Sequence, residues 1–389
     1  MSEDHKNHRR STMLVHAGRK PENYFGVVNP PVCRTSTILY ESFAAYFSPN
    51  VKYRYGRVNN PLSNDFEEAV SLLEGGFKAI STSSGLAAVT TALVAFAKAG
   101  DHVLIVDSCY PPTRFFCQRR LRAYGVEVEF YDPLIGAGIA DLIRENTALI
   151  YMESPGSGTF DVQDVPAIVA AAKARGVVTI LDNTWSAGIL FHPLEHGVNI
   201  AVQSAAKYIS GHSDVNLGFA VADDERHYKL LKSAAVDAGI CAGSEELYLA
   251  MRGLRTLEMR MKHAGENVLP ILEWFKGRPE VQEIYHPSLP GAAGHDVWVR
   301  DYAGHNGLMS VLFKEEYSLE DVGRFVDSLA LFPVGSSWGG YESLIQPSDM
   351  TTCRTKWDKK GVFLRFQIGN EDTADLIADL EQGIKNLKS

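Results

Sequence analysis

The sequence has few of the features that mark secreted, membrane-bound or nucleic-acid-binding proteins. Its 389 residues contain only five cysteines and no C-x-x-C pair, which excludes a disulfide framework and favours a reducing compartment. No apolar run approaches the ~18–20 residues of a membrane span, and no apolar segment follows the polar N-terminus. Asp plus Glu is 47 against 38 Lys plus Arg, a net charge of −9 that disfavours nucleic acid. We expect a cytoplasmic protein with no nucleic-acid or membrane partner.

Three regions with different patterns follow one another along the chain. Residues 1–60 are rich in aromatics, are interrupted by prolines and keep no helical period. They predict an arm that packs on another subunit or, alternatively, on its own chain. Residues 61–250 alternate amphipathic helices with short apolar strands, the pattern of an α/β domain with a mostly parallel sheet. Residues 251–389 are mixed and predict a smaller α+β domain.

The predicted elements can be placed on the sequence. The expected helices are Ser63–Glu74, Leu86–Lys98, Arg114–Tyr124, Val165–Arg175, residues 245–275, Ser318–Ser328 and Thr373–Leu387. The expected strands are Lys78–Thr82, His102–Val106, Ala148–Glu153, Val177–Leu181, Ile200–Gln203, Ser310–Lys314 and Phe363–Ile368.

Three catalytic motifs match only by their letters. Residues 335–339 fit the G-x-S-x-G elbow of hydrolases, but the last histidine is His305 and no base follows the serine. Residues 192–196 fit a zinc motif, H-x-x-E-H, but Pro193 interrupts the helix that the two imidazoles need. Residues 204–207 fit the S-x-x-K of penicillin-binding enzymes, whose companion K-T-G is absent. We expect none of these activities and no metal.

Polar and aromatic groups follow four of the predicted strands, at the edge where open α/β sheets bind ligands. Each residue alone has a simpler interpretation as a cap, a turn, a surface lysine or core packing. Together they match pyridoxal phosphate, which needs an amine, a carboxylate for its ring nitrogen, an anion site at a helix N-terminus and an aromatic ring. The respective candidates are Lys207, Asp182, Gly85 and Leu86 with Ser204, and Tyr110.

The sequence also resembles a known family along nearly its whole length. The matching segments lie at 53–61, 81–89, 181–188, 204–214, 252–260 and 336–345. They are similar to the cystathionine lyases and synthases, pyridoxal-phosphate enzymes of fold type I. Within that group, residues 294–304 and the SSWGGYESL segment are most similar to bacterial beta-acting lyases. Gamma-acting relatives usually have a smaller residue in place of Trp338.

The resemblance implies roles in binding the cofactor. Lys207 would hold the cofactor and move protons, Asp182 would pair with the ring nitrogen, and Tyr110 would stack on the ring; these three are the candidate catalytic residues. The phosphate ligands would be Gly85, Leu86 and Ser204 of the same chain, with Tyr55 and Arg57 reaching in from a neighbouring subunit.

It also implies a substrate site and an assembly. Arg365 would grip the substrate carboxylate, with Ser337 and Trp338 beside it. Relatives are usually tetramers built from two dimers, and we expect a homotetramer whose active sites are shared between subunits. One departure is Ala206, where relatives usually carry Ser or Thr, so one hydroxyl contact to the phosphate would be missing.

The expected reaction is cleavage of a small amino-acid substrate, cystathionine, to homocysteine, pyruvate and ammonia, in methionine biosynthesis. Two alternatives remain open at this stage. One is an amino-acid racemase of the alanine type, and the other is a gamma-acting cystathionine lyase or synthase. A non-catalytic pyridoxal-binding regulator is disfavoured, because both the lysine and the aspartate are present and no DNA-binding segment is visible.

Overall fold

The computed structural model describes residues 8–387, so the first seven residues of the predicted arm and the last two of the chain lie outside it. The strands are β1 Lys78–Thr82, β2 His102–Val106, β3 Glu127–Tyr131, β4 Thr147–Glu153, β5 Val178–Asp182, β6 Ile200–Ser204, β7 Gly218–Ala222, β8 Val281–Tyr285, β9 Leu308–Phe313, β10 Leu344–Ser348 and β11 Phe363–Gln367. The α-helices are α1 Arg10–His16, α2 Phe43–Phe47, α3 Pro61–Glu74, α4 Gly85–Phe96, α5 Pro111–Phe116, α6 Val165–Ala174, α7 Glu225–Asp237, α8 Ser244–Leu254, α9 Leu257–Lys276, α10 His295–Asp301, α11 Leu319–Asp327, α12 Met350–Cys353 and α13 Thr373–Gly383.

A seven-stranded sheet organises the first part of the chain, in the order β1-β7-β6-β5-β4-β2-β3. All neighbours are parallel except at β7, which runs antiparallel to both β1 and β6. Strands β2 and β7 are buried at every position, because helices cover both faces of the sheet. The predicted α/β class with a mostly parallel sheet is confirmed, although β3, β7 and α7 were not anticipated.

A second, four-stranded sheet has the order β10-β11-β9-β8 and is antiparallel throughout. Helices α9, α11 and α13 contribute to a separate apolar core over this sheet. The largest side chains of that core are Phe275, Phe313, Phe325, Phe332 and Phe366. Other residues of this sheet, Leu308, Leu312 and Phe363, belong to the core of the first part of the chain, so the second sheet contributes to both cores.

Two predicted helices differ in detail from the structure. The region 245–275 is not one helix but α8 and α9, separated at Arg255 and Thr256. The Arg255 guanidinium donates to the carbonyl oxygens of Leu14 and Ala17, which ties this break to α1. The helix expected at Arg114–Tyr124 starts earlier, at Pro111, and only its first part, α5, is α-helical. It continues as a π-helical turn and a short 3-10 turn, and it ends at Tyr124 as expected.

The arm presents apolar side chains to solvent. Phe25, Leu39, Phe43 and Phe47 are all exposed in the isolated chain. Helix α2 and its flanks form a small aromatic cluster, in which Tyr46 contacts both Tyr40 and Phe47 edge to face. An aromatic surface of this kind agrees with an arm that packs on a partner. Within residues 8–387 no helix combines the length and apolar character needed to cross a bilayer.

Candidate active site

A cleft of about 1160 Å³ opens at the carboxyl ends of β4, β5 and β6, and residues of β10 and β11 also line it. This is where an open α/β sheet is expected to bind its ligand. Nine of the predicted site residues line the cleft: Gly85, Leu86, Tyr110, Asp182, Ser204, Lys207, Ser337, Trp338 and Arg365. Tyr55 and Arg57 of the same chain do not.

Lys207 follows β6 and carries its amine into the cleft. Its Nζ donates to Ser337 Oγ at 2.5 Å and lies 5.5 Å from the centre of the Trp338 ring. Burial and the nearby Arg365 cation lower the pKa of this amine to about 8, while Asp182 acts in the opposite direction. The lowered pKa makes the neutral amine, the form that a nucleophile or base requires, more accessible at neutral pH than it is in an ordinary lysine.

Asp182 ends β5 as a buried carboxylate. Its Oδ1 accepts from the Thr184 backbone N–H at 3.0 Å and from the Thr184 hydroxyl at 2.5 Å, and Tyr151 donates to Oδ2 at 3.3 Å. Burial raises the pKa of Asp182, and these hydrogen bonds offset part of that rise. A buried carboxylate oriented by neutral donors fits a protonated ring nitrogen as its cationic partner.

The N-terminus of α4 forms a cradle of the kind that binds phosphate. Ser84 caps the helix, because its hydroxyl accepts from the Ala87 N–H at 3.1 Å. The Gly85 and Leu86 N–H groups, which precede the first helical hydrogen bond, have no acceptor within residues 8–387. A side chain at Gly85 would place its Cβ 2.4 Å from Ser204 Cβ, so only glycine fits here. The donors fit a phosphate, whereas Ala206 adds no hydroxyl to them.

Arg365 lies on β11 as a half-buried residue. Its Nη2 donates to Ser337 O and to Gln346 Oε1, both at 2.6 Å. Its Nε is buried and finds no acceptor among the described residues. Burial lowers the pKa of Arg365 to about 10, so the group remains a cation at neutral pH. A buried donor without an acceptor, on a half-buried cation, suits a ligand carboxylate.

The Ser337 backbone adopts an uncommon conformation beside this arginine. Its φ is 87°, a left-handed value that a residue with a side chain rarely adopts. The turn points the Ser337 carbonyl at Arg365 and its hydroxyl at Lys207. The glycines that flank the SSW segment are the sequence signal for such a turn.

Sequence reasoning missed several polar residues of the cleft. Glu153 ends β4 directly beside Asp182 in the sheet register, and its bonded partner Ser157 lines the same wall. Burial and the Asp182 charge raise the pKa of Glu153 to about 8. Thr184 and Gln346 orient the two predicted charged groups. The position of Glu153 at a strand end is the signal that could have identified it.

Tyr55 and Arg57 do not line the cleft of their own chain. Arg57 Nη1 donates to the Val236 carbonyl at 2.9 Å, and its guanidinium lies 5.9 Å from the Tyr55 ring. Tyr55 is exposed. In this arrangement the Arg57 guanidinium is engaged with the Val236 carbonyl, and the Tyr55 ring is open to solvent.

Comparison with known proteins assigns a family to this geometry. The chain is 38% identical over 388 residues to the cystathionine beta-lyase MetC of Escherichia coli (strain K12), covering 97% of this chain and 98% of that protein. It is 37% identical over 396 residues to the L-alanine/L-glutamate racemase of Wolbachia pipientis wMel, covering 97% and 98%.

A solved structure gives the same assignment. The cystathionine gamma-lyase of Lactobacillus plantarum, solved with L-serine, superposes with a TM-score of 0.92 at 27% identity, covering 98% of this chain and 100% of that one. The family model matching residues 11–385 is described as Cys/Met metabolism PLP-dependent enzyme, which confirms the predicted cofactor and fold. The chain belongs to the pyridoxal-phosphate-dependent enzymes of cysteine and methionine metabolism.

Proposed function

We propose that this chain cleaves the Cβ–S bond of cystathionine with one water molecule, yielding homocysteine, pyruvate and ammonia. The observation that carries the proposal is the half-buried Lys207 amine, which bonds to Ser337 and is influenced by the Arg365 cation in the same cleft. The 38% identity to a cystathionine beta-lyase, against 27% to a gamma-lyase of the same fold, favours beta-cleavage. Trp338 lines the same cleft, where gamma-acting relatives usually have a smaller residue.

The residues divide the work of such a reaction. Pyridoxal phosphate, when bound, supplies an electron sink for the negative charge that develops at the substrate Cα. Arg365 binds the substrate carboxylate, and Lys207 Nζ takes the Cα proton. As the Cβ–S bond breaks, its electron pair leaves with sulfur, and the Lys207 proton is available to the thiolate. Water then hydrolyses the remaining three-carbon fragment to pyruvate and ammonia. Asp182 keeps the cofactor ring nitrogen protonated throughout.

Product analysis tests this proposal. Purified protein is incubated with cystathionine, and the keto acid is identified by chromatography. Pyruvate supports beta-cleavage, whereas 2-oxobutyrate would assign gamma-cleavage. A second candidate function is racemisation, which the similarity to an alanine and glutamate racemase favours. D-alanine formed from L-alanine, without keto acid from cystathionine, would assign that function instead.

Replacing Arg365 with lysine should lower the specificity constant for cystathionine although the charge is kept. A fixed guanidinium is worth about 1.5–3 kcal/mol to a carboxylate, or about 10- to 150-fold. Arg354→Lys is the matched control, because Arg354 is also buried but is committed to Asp161 and Thr159. An unchanged constant for Arg365→Lys with a lowered one for Arg354→Lys would reverse the assignment.

Attachment of pyridoxal phosphate to the apoprotein should become faster as pH rises, reach half of its maximal rate near pH 8 and level off about one pH unit above that. The reason is that only the neutral amine reacts with the aldehyde, and burial with the Arg365 cation lowers the Lys207 pKa to about 8. Stopped-flow absorbance of the bound chromophore measures this rate. Nα-acetyllysine, which has an ordinary amine, is the reference compound, and its rate should keep rising to about pH 10. A protein rate that rises in the same way would contradict the lowered pKa of Lys207.

We extend the proposal to the organisation of the protein. The chain divides into an arm (1–60), a large cofactor-binding domain (61–250) and a C-terminal domain (251–389), and it assembles as a cytoplasmic homotetramer with shared sites. The exposed aromatic arm supports the assembly, as does the placement of Arg57 away from its own cleft. Sedimentation equilibrium measures the assembly state, and a monomer at enzyme concentration would contradict it.

A further inference from the structure

Glu153 is a buried carboxyl of the cleft that the proposed mechanism does not use. It ends β4, and its Cα pairs with that of Asp182 across the β4–β5 ladder. Side chains at paired positions of neighbouring parallel strands lie on the same face of the sheet. The two carboxyl groups therefore stand side by side at the base of the cleft, both almost fully buried.

Both oxygens of Glu153 accept hydrogen bonds from the wall of the cleft. Oε2 accepts from the backbone N–H of Tyr110 at 2.6 Å, and Oε1 accepts from the Ser157 hydroxyl at 2.7 Å. Pro111 and Pro112 follow Tyr110 and have no N–H groups. The Tyr110 N–H is thus the last backbone donor before the first turn of α5, and Glu153 is its acceptor.

Further contacts join the segment after β4 to the segment after β2. The Ser157 N–H donates to Ser108 O at 2.8 Å. A Cβ at Gly156 would lie 2.4 Å from Ser108 Oγ, so the two segments approach as closely as glycine allows. Tyr110 itself has extended backbone angles, φ −48° and ψ 127°, which are typical of a residue before proline. Its ring stands partly exposed on the cleft wall.

We propose that Glu153 is a positioning residue, whose carboxyl holds the Tyr110 backbone by a hydrogen bond and so sets the tyrosine ring over the cofactor site. Two carboxyl groups on adjacent strands would then serve the cofactor site. Asp182 pairs with the ring nitrogen, and Glu153 positions the tyrosine that stacks on the ring. This inference rests on the proposed stacking role of Tyr110.

The charge around Glu153 favours a neutral carboxyl at pH 7. Burial and the neighbouring Asp182 raise its pKa to about 8, and its bonds to Ser157 and Tyr110 offset only part of that rise. When protonated, the carboxyl still accepts from the Tyr110 N–H and can donate to the Ser157 hydroxyl, and a glutamine amide can make the same two bonds. The titratable or charged groups that interact with Glu153 are Asp182, Tyr110, Tyr151, Cys109 and Arg354.

The test uses cofactor binding and its optical signature rather than turnover. Apoprotein variants are titrated with pyridoxal phosphate, and both the dissociation constant and the visible circular dichroism of the bound cofactor are recorded. Glu153→Ala should weaken binding about 10-fold, the order expected for one lost buried hydrogen bond, and diminish the dichroic band. Glu153→Gln should restore both to near the wild-type values. Glu153→Asp, which keeps the carboxyl group but is one methylene shorter, should resemble the alanine variant.

Matched controls separate positioning from a general loss of structure. Glu67 is also a buried carboxyl with two bonds, from the Ser81 N–H and hydroxyl, but it lies outside the cleft. Glu67→Ala should leave the dichroic band unchanged. Thermal unfolding of each apoprotein identifies variants that do not fold. If Glu153→Ala does not fold, the comparison of the Gln and Asp variants tests the positioning role of Glu153.

The outcomes distinguish a failure of the positioning role of Glu153 from a failure of the proposed stacking role of Tyr110. A wild-type band and affinity in Glu153→Ala would overturn the positioning role. A glutamine variant as defective as the alanine variant would show that charge matters, and would overturn the neutral hydrogen bond. If Tyr110→Ala itself leaves the band unchanged, the stacking role of Tyr110 is wrong, and the failure lies in the proposed site rather than in Glu153.

Discussion

Asp182→Asn should lower cystathionine turnover by about 10²-fold or more while the cofactor stays bound. The amide nearly keeps the shape of the carboxylate and can still accept from Thr184, so the end of β5 should remain in place. It cannot act as the anion that keeps the ring nitrogen protonated, and the electron sink weakens. Steady-state kinetics and the bound-cofactor absorbance measure the two effects separately.

The control is a buried carboxylate with comparable hydrogen bonds far from the cleft. Asp379 accepts from the Ala330 and Leu331 backbone N–H groups in the C-terminal region. Asp379→Asn should lower the melting temperature with little change in turnover. Near-normal turnover in Asp182→Asn would mean that Asp182 only stabilises the local backbone through Thr184.

The strand ends explain why so much of the site could be predicted from the sequence. Parallel strands bring their carboxyl ends to one edge, so residues far apart in the chain, such as Tyr110, Asp182 and Lys207, gather once the strands are recognised. Each strand is a short apolar run that ends at polar residues. This pattern is local and can be recognised without tertiary information.

What the sequence could not give depends on contacts between segments. Glu153 has the strand-end position that could have marked it as a candidate, but only the pairing of β4 with β5 shows that it lies beside Asp182. Strand β7 runs antiparallel between β1 and β6, an order that no local pattern specifies. The break between α8 and α9 depends on Arg255 reaching the carbonyls of α1. Gln346 gains a role only because Arg365 lies opposite it on β11.

Mixing two inactive variants should restore activity if the active site is shared between subunits. Arg57→Ala and Lys207→Ala are each expected to be nearly inactive, the first through loss of a phosphate ligand and the second through loss of the amine. In a hybrid dimer, one site takes Lys207 from one chain and Arg57 from the other and is intact. Random exchange of equal amounts should give roughly one quarter of wild-type activity, because about half of the dimers are hybrids with one good site each.

A second mixture provides the matched control for this experiment. Lys207 and Asp182 line the same cleft of one chain, so mixing Lys207→Ala with Asp182→Asn leaves every site defective and should restore no activity. Native mass spectrometry of isotopically labelled subunits verifies exchange in both mixtures. If exchange is complete and the Arg57→Ala mixture stays inactive, Arg57 acts within its own chain. Its bond to the Val236 carbonyl would then be its whole role, and the aromatic arm would pack without completing a neighbour's site.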